Sequence, residues 1–222
     1  MKNIVFQGDS ITDCGRSRED ESNTGIGYAT LVKAALGYEY PGEFTFYNRG
    51  VSGNRITDMY ARIKKDAINL KPDIMSVLIG VNDVWHEYSF SGNNGVDAEK
   101  YFKIYCMFIE EVMEAVPNTK IMILEPFVLK GISTERCWDI FYAEVKKRAE
   151  KAEAIAKKYG LAFVPLQDKF EEAVNKAPED YWLKDGVHPT AAGHELIKRE
   201  WLRVFSELQR GDNYIEGYWD RY

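Results

Sequence analysis

The sequence predicts an α/β fold in which a parallel sheet carries helices on both faces. Short apolar runs alternate with helical segments of about ten or more residues along the chain. Two runs, "DIMSVLIG" and "TKIMILEP", are almost continuously apolar, as strands covered on both faces are. No repeat, linker or low-complexity segment interrupts the alternation.

Residues 3–8, "NIVFQG", form the first buried strand, followed by a polar loop. "GYATLVKAALGY" then has helical spacing through Tyr28, Leu31, Val32, Ala35 and Leu36. "EFTFYNRG" returns to strand-like residues. "ITDMYARIKKDAINL" sets Ile56, Met59, Tyr60, Ile63, Ala67 and Leu70 on one helical face, stopped near Pro72. After the strand "DIMSVLIG", the stretch "NDVWHEYSFSGNNG" reads as a polar loop before a helix over 97–116. "TKIMILEP" is the fourth strand, a helix over 137–159 ends at Gly160, and "LAFVPL" is the fifth strand. Helices over 167–176 and 190–209 complete the pattern.

At 222 residues the chain suits one domain, expected over residues 1–210. The remainder, residues 211–222, is an aromatic tail with Tyr214, Tyr218, Trp219 and Tyr222. It is expected to pack on its own domain, with a subunit interface in a homo-oligomer as the alternative. A formal charge of −6 without a basic run argues against nucleic acid as a partner. The opening apolar stretch is too short for a signal peptide, and no run approaches the ~18 apolar residues of a membrane span. Three cysteines, Cys14, Cys106 and Cys137, fit a reducing compartment, so the expected location is the cytoplasm.

Ligands of an open parallel sheet bind beyond the carboxyl ends of its strands. Those ends carry Gly8-Asp9-Ser10, then Asn48 to Gly53, then Gly80-Val81-Asn82-Asp83. Ser10 is a candidate nucleophile and needs a base. Of the three histidines, His194 reads as a solvated helix residue, and His86 has no acid in an obvious orienting position. His188 follows Asp185 by three residues in "LKDGVHPTAAG", a turn in which the carboxylate can reach the ring and fix its tautomer. Pro189 keeps His188 extended, and Thr190 can cap the next helix. The N–H groups of Ser10 and Gly53 and the amide of Asn82 are candidate donors to an oxyanion. Asp9 is expected to support the turn, whereas Cys14 and Arg16 gain no role.

Competing chemistries fit less well. Asp9 and Asp13 are four apart, not two as an aspartyl-phosphate site requires, and there is no GxxxxGK[ST] phosphate loop. "GVSGN" departs from the G-x-S-x-G elbow at Asn54. Three scattered histidines do not form a metal cluster, and no cofactor is expected. A silent sugar-binding module on the same fold remains the alternative from a different class.

"GDSIT", "NRGVSGN", "IGVND" and "DGVHP", in this order over residues 4–194, resemble the four blocks of the SGNH (GDSL-type) hydrolases. Ile11 stands where that family usually has leucine. The resemblance implies a three-layer α/β/α flavodoxin-like fold with a five-stranded parallel sheet. It also implies Ser10 as nucleophile, His188 as base, Asp185 as orienting acid, and Gly53 and Asn82 as oxyanion donors. "GDSITDCGR", "SGN", "IGVNDVW" and "VHPTAAGH" further resemble intracellular bacterial acetylxylan esterases, which implies a small acetylated sugar as substrate and an oligomeric state. A lysophospholipase or thioesterase acting on longer chains is the alternative. Trp85, His86, Trp182 and Phe127 are candidates for the pocket mouth, where they would meet sugar rings or pack loops together.

Overall fold

The computed structural model describes residues 1–88 and 93–209. The aromatic tail expected over 211–222 lies outside the described residues. Strands β1 (Lys2–Gly8), β2 (Phe44–Asn48), β3 (Ile74–Leu78), β4 (Lys120–Leu124) and β5 (Ala162–Val164) form one sheet, in the order β2-β1-β3-β4-β5. Every pairing is parallel: Val5 lies beside Tyr47 and Met75, Met75 beside Ile121, and Ile123 beside Phe163. The helices are α1 (Ser10–Asp13), α2 (Tyr28–Glu39), α3 (Ile56–Ala61), α4 (Ile63–Asp66), α5 (Val81–Tyr88), α6 (Ala98–Ala115), α7 (Trp138–Tyr159), α8 (Gln167–Val174), α9 (Glu179–Trp182) and α10 (Ala191–Gln209).

The period-two alternation of a strand sorts the core into two layers. Ile4, Phe6, Ile74 and Leu78 face one side, against Tyr28, Val32 and Leu36 of α2 and Ile197, Trp201 and Phe205 of α10. Val5, Met75, Val77 and Ile121 face the other, against Met59 of α3, Phe108 and Ile109 of α6, and Ile155 of α7. All five residues of β3 are buried, which explains the unbroken apolar run in the sequence. Rings fill the first layer: Phe6 meets Trp201 at 5.7 Å and Tyr28 at 5.9 Å, and Trp201 stacks on Phe205 at 5.2 Å. Burying each such side chain is worth roughly 1.5–3 kcal/mol.

Two segments depart from the sequence expectation. The single helix expected over "ITDMYARIKKDAINL" breaks into α3, α4 and a 3₁₀ turn at Ile68–Leu70. Arg62 leaves helical geometry at φ −113° and ψ 12°. Its guanidinium donates to Asn54 Oδ1 at 2.8 Å, Arg49 O at 2.7 Å and Gly8 O at 3.2 Å. These bonds at the carboxyl ends of β1 and β2 outweigh local helix propensity. The stretch beginning "NDVWHEY", expected as loop, folds as α5, because Val81 and Val84 occupy one buried face.

The strand order reverses between β1 and β3, so the chain leaves these neighbours in opposite directions. A crevice opens at that point, and ligand sites of doubly wound sheets lie there.

Candidate active site

Ser10 is the first residue of α1, just past the end of β1. Asp9 caps that helix, its Oδ1 accepting from Ile11 N–H at 2.9 Å. Gly8 lets the strand turn there: a Cβ would sit 2.5 Å from Leu78 O and 2.3 Å from Thr12 Oγ1. The sequence expectation for Asp9, support of the turn, matches this bond. Burial drives the Asp9 carboxyl up to about 7, against the opposing Ile11 hydrogen bond.

Ser10 Oγ lies 3.0 Å from His188 Nε2, and His188 Nδ1 lies 2.7 Å from Asp185 Oδ2. The other carboxylate oxygen accepts from Val187 N–H at 3.0 Å and His188 N–H at 2.8 Å. Burial works against the charge of Asp185, but these bonds outweigh it and hold the carboxyl at about 2. With a carboxylate facing Nδ1, that nitrogen carries the proton and Nε2 accepts from the serine hydroxyl. The turn is stiff. Leu183 and Pro189 form an antiparallel bridge, Lys184 N–H donates to His188 O at 3.0 Å, and Gly193 N–H donates to the Thr190 cap at 3.3 Å. The loop after β4 pins it from outside, through Leu129 N–H to Gly186 O at 2.9 Å and Ser133 N–H to Asp185 O at 3.0 Å.

The candidate donors line the same cleft. Gly53 sits in a turn at φ +81°, a left-handed value that favours glycine. Asn82, in the first turn of α5, is buried and donates one amide hydrogen to Asn54 O at 3.2 Å, which leaves its second for the cleft. The cleft has a volume of about 690 Å³ and is lined by Ser10, Ser52, Gly53, Asn82, Trp85, His86, Ser133, Asp185 and His188. It therefore gathers a hydroxyl, a base with its acid, and a group of N–H donors, the parts needed to transfer an acyl group.

The aromatic candidates divide. Trp85 and His86 line the cleft, and the Trp85 ring lies 5.6 Å from the His188 ring. Phe127 does not: it is fully buried and stacked on Phe170 at 4.4 Å. Trp182 faces a separate groove with Lys169, Ala173, Leu196 and Arg199, and its Nε1–H donates to Ala177 O at 3.1 Å. Both lie close in sequence to loops that carry the site, but the side chains turn inward or away.

The expectation for His194 also fails. It is buried, its Nδ1 accepts from Tyr28 N–H at 3.1 Å, and its Nε2 lies 3.2 Å from Cys14 Sγ. Burial, with help from the nearby Lys184 charge, lowers it to about 4, so the ring is neutral near pH 7. Cys14 thus acquires a partner, and Arg16 acquires one too, donating from Nε to Gly50 O at 2.7 Å. Ser133 was not foreseen; it sits in a loop whose sequence carries no motif. Asp83, beside Asn82, accepts from Ile56 N–H at 3.1 Å, and burial drives it up to about 8. Among the described residues, no three of His, Cys, Asp and Glu converge as metal ligands, and no helix is long and apolar enough to cross a membrane.

This fold with this cleft defines a carboxylic ester hydrolase of the α/β class. The chain belongs to the GDSL-like lipase/acylhydrolase family, which matches residues 6–196. It is 34% identical over 211 residues to an acetylxylan esterase of Geobacillus stearothermophilus, covering 90% of this chain and 92% of that one. The solved structure of the acetylxylan esterase Axe2 from the same organism superposes with a TM-score of 0.82 at 31% identity, covering 91% and 93% of the two chains. A GDSL-like lipase from Parabacteroides merdae superposes with a TM-score of 0.82 at 35% identity, over 91% and 94%. Catalytic mutants of Axe2 replace a serine, an aspartate and a histidine, the last two three residues apart.

Proposed function

We propose that the protein removes acetyl groups from acetylated xylo-oligosaccharides, using Ser10 as nucleophile, His188 as base and Asp185 as its orienting acid. One observation carries this reading: the unbroken chain Ser10 Oγ, His188 imidazole, Asp185 carboxylate along one wall of an open cleft. The substrate comes from the likeness to acetylxylan esterases.

In the acylation step, Ser10 Oγ attacks the acetyl carbonyl carbon while His188 Nε2 takes the hydroxyl proton. The carbonyl π pair moves to oxygen, where the N–H groups of Ser10 and Gly53 and the Asn82 amide receive the charge; each donor is worth roughly 3–4 kcal/mol in the transition state. The imidazolium, stabilised by Asp185, returns its proton to the departing sugar oxygen as the C–O bond breaks. Water then attacks the acetyl-serine, His188 again takes the proton, and acetate leaves as Ser10 regains its hydrogen. Trp85 and His86 line the side of the cleft that receives the sugar.

The deciding experiment is an acyl-chain series of p-nitrophenyl esters from acetate to palmitate, run with wild type and Ser10→Ala. Acetate is expected to be preferred and the serine variant to be inactive. Preference for palmitate would move the reading to a lipase or thioesterase, and an active Ser10→Ala would remove the serine mechanism. Acetylated xylo-oligosaccharides set against other acetylated sugars then test the substrate.

A further inference from the structure

Gly53 stands in open space beside the cleft. A Cβ placed on it would meet nothing within 4 Å, and it sits at φ +81° in the Val51–Asn54 turn, closed by Asn54 N–H to Val51 O at 3.1 Å. A third-position φ near +80° belongs to a type II turn. Where that turn stands relative to Ser10, and with it the Gly53 N–H, depends on what holds its second residue, Ser52.

Asp13 supplies the fixing contact. It stands three residues after Ser10, on the same short helix, with a side chain only 8% exposed. Its Oδ2 accepts from Ser52 N–H at 3.1 Å and from Ser52 Oγ–H at 3.0 Å. Arg18 holds the carboxylate from behind, Nη2 to Oδ2 at 2.7 Å and Nη1 to Oδ1 at 3.2 Å. Burial raises the cost of ionising Asp13, but the bonds from Arg18 and Ser52 outweigh it and hold the carboxyl below its ordinary value. The neighbouring loop is drawn to the same helix: Arg16 Nε–H donates to Gly50 O at 2.7 Å, and the Asn48 amide donates to Thr12 O at 2.6 Å.

We propose that Asp13 is a positioning residue that ties the nucleophile helix to the oxyanion turn and so aims the Gly53 N–H at the developing charge. The inference rests on the serine-esterase reading above. Asp13 does not touch the ester. It acts through Ser52, so its removal weakens the transition state while leaving ground-state binding of the ester alone.

Asp13→Ala and Ser52→Ala test this with p-nitrophenyl acetate and with phenylboronic acid, whose boron accepts the Ser10 oxygen to form a tetrahedral adduct as the hydroxyl proton passes to His188. For Asp13→Ala, kcat is expected to fall about 30- to 100-fold with KM within about threefold, and boronate affinity to fall in parallel. Ser52→Ala keeps its backbone N–H, so a fall of about three- to tenfold in kcat is expected, with the thermal midpoint near that of wild type. A merely structural contact would lower the midpoint without the matched losses in kcat and boronate affinity. If Asp13→Ala does not fold, Ser52→Ala decides: unchanged kcat and boronate affinity overturn the proposal. Folded Asp13→Ala with kcat within threefold of wild type also overturns it, while Ser10 dependence leaves the esterase reading standing. An esterase activity indifferent to Ser10→Ala overturns both.

Discussion

His194 and Cys14 meet at 3.2 Å behind the turn that carries Ser10, with the Nδ1 side of the ring occupied by Tyr28 N–H. Because Nδ1 accepts, the neutral ring carries its proton on Nε2 and donates it to the thiol sulfur. A Cβ on Gly27 would approach Cys14 Cβ at 2.8 Å and His194 Cε1 at 2.9 Å, so the pair is tightly enclosed. This contact joins α10 to the loop after Ser10.

The buried ring makes stability depend on pH. Its folded value is about 4 against an ordinary 6.5, so the unfolded chain binds more protons between those values. Stability is then complete above about 6.5 and lost as pH falls toward 4, by roughly 3 kcal/mol for this group. Urea unfolding from pH 7 to 4 checks this: His194→Asn is expected to be less stable at pH 7 but to show a flatter acid slope.

Asp185→Asn is expected to lower kcat on p-nitrophenyl acetate on the order of 10³- to 10⁴-fold with little change in KM. The amide can leave His188 in the wrong tautomer, with its proton on the nitrogen that must accept from Ser10. Steady-state kinetics at neutral pH measure it, and near-normal turnover would take Asp185 out of the mechanism.

Trp85 and Phe127 separate cleft from core. Phe127→Ala is expected to cost about 3–5 kcal/mol of stability, because it empties a stacked, fully buried site. Trp85→Ala removes the ring against His188, so kcat/KM for acetylated xylo-oligosaccharides is expected to fall more than that for p-nitrophenyl acetate. Denaturant unfolding and paired substrate kinetics distinguish the two.

Gly50→Ala is expected to lose more than about 3 kcal/mol or fail to fold. The added carbon would stand 2.2 Å from Asp13 N and 2.7 Å from Thr12 C, backbone atoms that cannot step aside. Circular dichroism and a thermal melt measure the outcome.

The sheet and the pairing of Asp185 with His188 were legible because both depend on short-range pattern, whereas the link from Ser10 to His188, 178 positions away, was legible only through the four motif blocks taken together. Apolar runs mark β1 and β3 whatever packs on them, and Asp185 reaches His188 within one turn. Contacts set by tertiary geometry were not. Whether Trp85 or Phe127 faces the cleft depends on which side of its backbone packs on the core. The link between Cys14 and His194 spans 180 positions, and no local signal announces it. The break at Arg62 follows from carbonyls at the ends of two strands, brought near only by the assembled sheet.

The turn that presents His188 lies beyond the last strand, which ends at Val164. During synthesis all five strands can therefore leave the ribosome before the imidazole does. A chain stopped after β5 would carry Ser10, Gly53 and Asn82 but neither Asp185 nor His188. On the proposed mechanism, hydrolysis is thus a readout of completed folding: turnover begins only once the segment carrying His188 has docked against the loop after β4.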